Sequence, residues 1–376
     1  MAEVAASNGL RRRGASWESV ELVRLEAYAP RAGPDGRARI VGGATDVTHS
    51  TARAILDVPS IAADPAGNAL DRLRLDCGRL VALESARPGR PLDLLHATVV
   101  AMHSLATSIT ACEDASLTRL ELLPVLEEVR ALHARSPFVH RLQAWPRGYP
   151  VDFETVEWLC DARNRASPGT VAWAIEQCSL QSPLAQQHRN KVGLQARAIL
   201  SALVANPAAR IASIGCGGCR DLSLIQDYIP ASHGTFVLVD SDADALAFAR
   251  GRLEPLAGRC TFVQGRVPRV FGKLAEAGPF DLIVAGGLFD YLPDRWAVAT
   301  LSAAREQLAP GGRLLLSNIA KGNPFRPWIE YLADWWLIER DEADVSRLLG
   351  QAGFDAEQAR LSHDSTGLAL MADATA

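Results

Sequence analysis

Apolar residues recur at intervals of three and four through residues 66–204, in NALDRLRLDCGRLVALE, LTRLELLPVLEEVRALHA, DFETVEWLCDARNR and PLAQQHRNKVGLQARAILSALV. That is the period of helices with one buried face. Pro168-Gly169 reads as a turn, and Ser182 followed by Pro183 reads as an N-cap with proline at the first helical position. The most apolar stretch, LDLLHATVVAMHSLATSITA at 92–111, is interrupted by Asp93, His96 and His103, so it predicts a buried helix rather than a membrane span. After Asn206-Pro207 the period changes. RIASI (210–214), TFVLVD (235–240), CTFVQ (260–264), FDLIVA (280–285) and GRLLLSN (312–318) are short apolar runs, with amphipathic stretches such as DADALAFARGRLE between them. Alternation of this kind predicts an α/β fold with a mostly parallel, doubly wound, Rossmann-like sheet. The closing GFDAEQARL, SHDSTG and LALMA predict an antiparallel hairpin.

Ahead of these regions, residues 1–15 read as a tail, and SVELVRLEAY and RARIVGG read as a short β-hairpin around APRAGPDG. With TDVTHSTARAIL the segment faintly resembles a PilZ-type nucleotide-sensing barrel. The paired arginines, Ser and Gly of that signature do not fall into place, which leaves a structural hairpin as the expectation. The chain thus divides into an N-terminal tail and hairpin (1–65), a helical cap region (66–204) and a Rossmann-like domain (205–376).

Composition narrows the partner. A formal charge of −4 and a pI near 6.1 disfavour nucleic acid and point to a small-molecule substrate. Seven scattered cysteines do not make a secreted disulfide framework. The basic run Arg11–Arg13 precedes no apolar stretch, so neither a signal peptide nor a membrane partner is expected. The cytoplasm is the expected location, and a homodimer is compatible with the sequence. The 23 aromatic residues are uneven, with 14 of them in the windows 145–173 and 280–336.

The chemistry concentrates where the strands end. RIASI runs into GCGGCRD, so Gly215, Gly217 and Gly218 sit in a βα turn where only residues without Cβ let backbone approach a ligand. Asp240 closes the next strand, where a carboxylate can accept both hydroxyls of a ribose. The loop lacks the G-x-G-x-x-G spacing of a pyrophosphate binder, which disfavours a dinucleotide. Cys216 and Cys219 form a C-x-x-C that invites a zinc or redox reading, but no second C-x-x-C or H-x₃₋₅-H accompanies it. Both thiols are taken as small loop residues, and no metal is expected. Asp290 and Tyr291 follow the fourth strand and are candidates for the reaction region, with a helix cap and a packing role as their structural alternatives. Arg147, Gly148, Tyr149 and Asp152 stand ahead of a helix that Asp152 can cap. Aromatics at helical spacing are usually core, but Trp335 and Trp336 are adjacent and cannot share one helix face, and aromatic faces suit a sulfonium cation, so core packing and ligand contact are the two readings for each.

With GCGGCRDL, FDLIVAGGLFDYLPDR, APGGRLLLSN and NPFRPWIEYLADWWLIERDEADVSRLL in hand, the C-terminal half resembles class I methyltransferases that use S-adenosylmethionine. More narrowly it is similar to the subgroup of 3-hydroxypalmitate methyl ester synthases, and SPFVHRLQAWPRGYPVDFETVEWL extends that resemblance to residues 136–371. The pattern departs at Ser213, which replaces the usual acidic residue, at Cys219, which replaces the third glycine, and at Pro150-Val151 after the tyrosine.

The resemblance implies S-adenosylmethionine as cofactor, bound by Arg147, Ser213, Gly215, Cys216, Gly217, Asp221, Asp240, Ser241, Gly265, Arg266, Gly286 and Trp335. It implies Tyr149, Asp152, Asp290 and Tyr291 as the catalytic group. Methyl transfer to a carboxylate in bacterial signal or natural-product biosynthesis is the expected reaction, and it needs no strong base. A hydroxyl or amine acceptor would need one, for which Asp152, Asp290, Tyr149 and His188 are candidates. The chain also resembles azetidine-2-carboxylate synthases of the same fold, which cyclise S-adenosylmethionine and release methylthioadenosine. A catalytically silent ligand-binding protein is the third reading.

Overall fold

In a computed structural model, the described residues are 65–85, 90–355, 357 and 359–376. The tail and hairpin expected before residue 65 lie outside them. Among the described residues, seven helices come first: α1 (Pro65–Ala82), α2 (Pro91–Asp114), α3 (Arg119–His133), α4 (Pro137–Ala144), α5 (Phe153–Asp161), α6 (Val171–Gln181) and α7 (Pro183–Ala205). Their starts follow side-chain chemistry. Ser182 accepts a hydrogen bond from the Ala185 amide at 3.2 Å with Pro183 behind it, and Asp152 accepts from the Thr155 amide at 2.8 Å.

The sheet follows, with β1 (Arg210–Ile214), β2 (Thr235–Asp240), β3 (Cys260–Gln264), β4 (Phe280–Ala285), β5 (Leu308–Ile319), β6 (Arg360–His363) and β7 (Ala369–Thr375). Between the strands run α8 (Arg220–Ile225), α9 (Ala243–Arg252), α10 (Phe271–Leu274), α11 (Asp294–Glu306), α12 (Arg326–Leu332) and α13 (Glu342–Gln351). The first four strands coincide with the apolar runs read from the sequence. β5 starts earlier than GRLLLSN because Leu308 already pairs with Phe280 across a register shift. The strand order is β3-β2-β1-β4-β5-β7-β6, parallel except for β7, which pairs antiparallel with β5 and with β6. The order reverses between β1 and β4, and open α/β sheets bind ligands at that switch point, outside the carboxyl ends of the strands.

Two apolar clusters cover the two faces of the sheet, and a third fills the helical layer. The third also takes in Trp328, Ile329, Tyr331, Leu332 and Trp335, which lie in the segment between β5 and α13. That segment therefore folds onto the helices, with its Trp328 indole donating to His133 Nε2 at 3.1 Å. The helical layer and the sheet pack as one compact unit. α2 departs from the expectation of a buried helix, since Leu94, Thr98, Met102, Leu105 and Ile109 face the core while Leu92 and Val100 are exposed. It is long and apolar enough to cross a membrane by length and composition alone, a property that the core helix of a soluble protein shares.

Candidate active site

β1 hands over to the glycine loop with Gly215 at φ 66° and Gly217 at φ 52°, the left-handed region that favours glycine. The Cys216 amide donates to the Val239 carbonyl at 2.9 Å and the Gly217 amide donates to Asp240 Oδ2 at 2.9 Å, so the loop is tied to the end of β2. The other oxygen of Asp240 accepts from the Asp242 amide at 2.9 Å. Each carboxylate oxygen can accept two hydrogen bonds, which leaves one lone pair apiece for a ligand. Burial pushes the Asp240 carboxyl upward, and the backbone donors oppose that shift.

A cavity of about 480 Å³ opens beside this carboxylate, within the range of small-molecule sites. Ile214, Gly215, Gly217, Val239, Asp240, Ser241, Gly265, Arg266, Val267, Gly287 and Leu288 form its sheet side. The helical layer closes it with Tyr149, Pro150, Val151, Phe153, Val156 and His188, and Asp290, Tyr291 and Leu292 complete the wall. A narrower branch of about 110 Å³ shares Phe153, Val156, His188 and the glycine loop, and continues past Cys216, Asp221 and Gly286 to Glu157, Lys191 and Gln195. Another cavity, of about 490 Å³, lies among the helices beside Glu84, Arg135 and Arg165, and none of the residues expected from the sequence lines it.

Twelve of the sixteen candidate residues thus converge on one cleft, and four do not line it. Ser213 is buried within β1. Asp152 is turned away, with one oxygen on Arg141 at 2.5 Å and the other on Thr155, so it caps α5 and anchors α4 rather than facing a substrate. Arg147 reaches Asp244 at 2.6 Å and Glu154 at 2.8 Å, so its guanidinium straps the 145–152 segment to the start of α9. Trp335 is fully buried one layer behind the wall, where its indole donates to the Tyr291 hydroxyl at 3.0 Å and its ring lies against His188 at 5.4 Å.

The wall's ionisable groups are held in fixed states. Tyr149 donates to Asp242 at 2.8 Å, and burial together with that acceptor keeps its phenol protonated. Burial and the neighbouring Asp290 raise Tyr291 in the same sense. Asp290 accepts from Lys191 at 3.1 Å and from the Ile319 amide at 2.6 Å, forming a buried ion pair at the end of β4. His188 is buried, its Nε2 has no hydrogen-bond partner, and burial followed by the charges of Lys191 and Arg189 pushes it well below the usual histidine range. Asp221, in the narrow branch, is pushed up to about 6 by burial. Glu157 accepts from Arg220 at 2.8 Å and from Arg252 at 2.6 Å.

Lys191, Gln195 and Glu157 were not expected from the sequence. The signal for Lys191 and Gln195 is a stripe on α7, where His188, Lys191, Val192 and Gln195 recur at helical spacing beside a second, apolar stripe, whereas Glu157 lies on α5. Gln195 reaches so close to Gly286 that a Cβ there would meet its amide nitrogen at 1.7 Å, so Gly286 makes room for a side chain from the helical layer. Among the described residues, no group of three or more metal-ligating side chains forms.

Residues 212–314 match the family model described as a methyltransferase domain. A search of curated proteins gives no match. Among solved structures, the chain is similar to a protein from Bordetella parapertussis described as a possible exported protein, with 20% identity, 85% of this chain and 99% of that one covered, and a TM-score of 0.51. It is also similar to magnesium protoporphyrin IX methyltransferase from Synechocystis PCC 6803 with bound S-adenosylhomocysteine, at 17% identity over 51% of this chain and 86% of that one, TM-score 0.40. An N-methyltransferase from Bradyrhizobium japonicum WM9 gives 16% identity over 59% and 97%, TM-score 0.37. The first likeness shows a fold shared across the helical layer as well as the sheet. The glycine loop, β2, β3, β4 and the start of β5 fall within the residues 212–314 that match the methyltransferase-domain model.

Proposed function

We propose that the protein binds S-adenosylmethionine in this cleft and transfers its methyl group to the carboxylate of a small molecule. The observation that carries the reading is the Asp240 carboxylate at the switch point, fixed by the Gly217 and Asp242 amides with a lone pair left on each oxygen. Those oxygens would take the ribose hydroxyls, and Ser241, Gly265, Arg266, Val267 and Leu288 would surround the base. The narrow branch offers carboxylates in Asp221 and Glu157 and donors in Lys191 and Gln195, which suits the amino-acid end of the cofactor. When bound, the cofactor supplies an electrophilic methyl group on a sulfonium.

The wall tolerates that cation, because His188 is held neutral and Lys191 is neutralised by Asp290. The same states favour an acceptor that is already an anion. Around the wide cavity, the two phenols are held protonated, Asp290 is bound to Lys191, Asp152 faces elsewhere, and His188 is too weak a base to keep a proton. A carboxylate needs no deprotonation, so positioning and exclusion of water supply the acceleration. Tyr149, Pro150 and Val151 close the mouth.

The test is product identification with S-adenosylmethionine and a panel of carboxylic acids. Formation of S-adenosylhomocysteine and a methyl ester supports the reading. Methylthioadenosine formed without any acceptor would replace it with intramolecular cyclisation, and binding without turnover across the panel would favour a silent binding protein.

A further inference from the structure

Methyl transfer leaves the C-x-x-C of the glycine loop unused. The Cys219 amide donates to the Cys216 carbonyl at 2.9 Å and closes a four-residue turn. Such turns hold their outer Cα atoms within about 7 Å, and a disulfide spans Cα separations of about 4.4–6.8 Å. Cys219 adopts φ 51° and ψ 44°, a conformation uncommon outside glycine, and is fully buried. The Cys216 thiol donates to the Gly217 carbonyl at 3.7 Å, and Cys216 also lines the narrow branch of the cleft. Between them sits Gly217, whose amide holds Asp240. The pair therefore brackets the backbone that positions the proposed ribose carboxylate, and one of its sulfurs is reached from the cleft itself.

We propose that Cys216 and Cys219 are a reversible thiol–disulfide modification site, closed by low-molecular-weight disulfides when the cleft is empty, and that the closed loop binds the cofactor more weakly. The Cys216 thiolate attacks one sulfur of oxidised glutathione, breaks its S–S bond and releases one glutathione. The Cys219 thiolate then attacks the Cys216 sulfur of the mixed disulfide and releases the second. Two protein thiols lose two electrons and two protons, and the two glutathione thiols carry them away. The neighbouring Cys219 thiol and burial hold the Cys216 thiol well above its ordinary range, so the thiolate is scarce at neutral pH and the reaction quickens as pH rises.

The disulfide does not depend on the methyl-transfer reading; its effect on affinity does. Full-length reduced protein is incubated with oxidised glutathione at mildly alkaline pH, with and without S-adenosylhomocysteine, beside Cys216→Ser and Cys219→Ser. Trypsin cuts after Arg210 and Arg220, so both cysteines fall in one peptide, and closure reads as its loss of two hydrogens. The expected result is closure in the wild type, a glutathione adduct on Cys216 in Cys219→Ser, and no closure or adduct in that peptide of Cys216→Ser. S-adenosylhomocysteine should slow closure, and the closed protein should bind it about tenfold more weakly until reduced. A wild-type peptide that stays reduced, a crosslink to Cys260 instead, or closure with unchanged affinity would overturn the proposal. If the reduced wild type binds no S-adenosylhomocysteine, the methyl-transfer reading fails, and the peptide mass still decides whether the disulfide forms.

Discussion

The two walls of the cleft are built by different means. On the sheet side, backbone does the work: glycines at positive φ, amides aimed at Asp240, and strand ends brought level by the parallel register. On the helical side, side chains do it: His188, Lys191 and Gln195 project from α7, and the 145–152 segment is strapped across by Arg147 and Tyr149. Backbone geometry is set by local residue types, whereas a side chain's surroundings are set by which element packs against it. The difference teaches where substitutions should hurt. On the sheet side they should change ligand affinity, and on the helical side they should first change stability.

The largest expected effect is on the helical side. Lys191→Ala leaves Asp290 buried without its cation and should destabilise the protein by about 3–5 kcal/mol in denaturant unfolding. A loss below about 1 kcal/mol would mean that the pair is solvated and that Asp290 is free to act.

Asp221 gives the next effect, and it has the opposite sign. Its folded pKa, about 6, lies above its ordinary 3.8, so the folded state holds the proton more tightly and stability falls as pH rises between those values. Asp221→Asn should raise stability at pH 7 by about 1–3 kcal/mol and flatten the profile between pH 4 and 6. A variant no more stable than the wild type at pH 7 would show that Asp221 is paired.

Asp152→Asn keeps the cap of α5 but weakens the contact with Arg141. It should cost about 1 kcal/mol in thermal unfolding and leave turnover intact once an acceptor is known. A large loss of turnover at unchanged stability would restore Asp152 to the catalytic group. Tyr149→Phe removes one half-exposed hydrogen bond and should change stability and cofactor affinity by about 0.5–1 kcal/mol. An effect beyond tenfold on turnover alone would show that the phenol touches the acceptor.

The same contrast explains what was legible in the sequence. β1, β2 and β4 fell on their apolar runs because strands buried on both faces carry an uninterrupted signal, the partly exposed edge strand β3 kept a short apolar run, and Gly215 and Asp240 placed the ligand end of the sheet. Lys191 and Gln195 were hidden because polar residues at helical spacing usually mark a solvated face, and only packing against β4 turns that face inward. Trp335 was expected at the cofactor on chemical grounds, but the segment after β5 folds onto the helices and leaves Tyr291 between the indole and the cleft. For Asp152 and Arg147, residue type alone could not separate a strap from a catalytic group, since both need a charge beside the cavity.

The central claim is that Asp240 and the glycine loop hold S-adenosylmethionine. Calorimetric titration of the full chain with S-adenosylhomocysteine, wild type beside Asp240→Ala, tests it most directly. The account predicts one-to-one binding by the wild type and about a hundredfold loss in the variant, the equivalent of two charge-assisted hydrogen bonds, at a similar melting temperature. No binding by the folded wild type, or equal affinity in the two proteins, would contradict it.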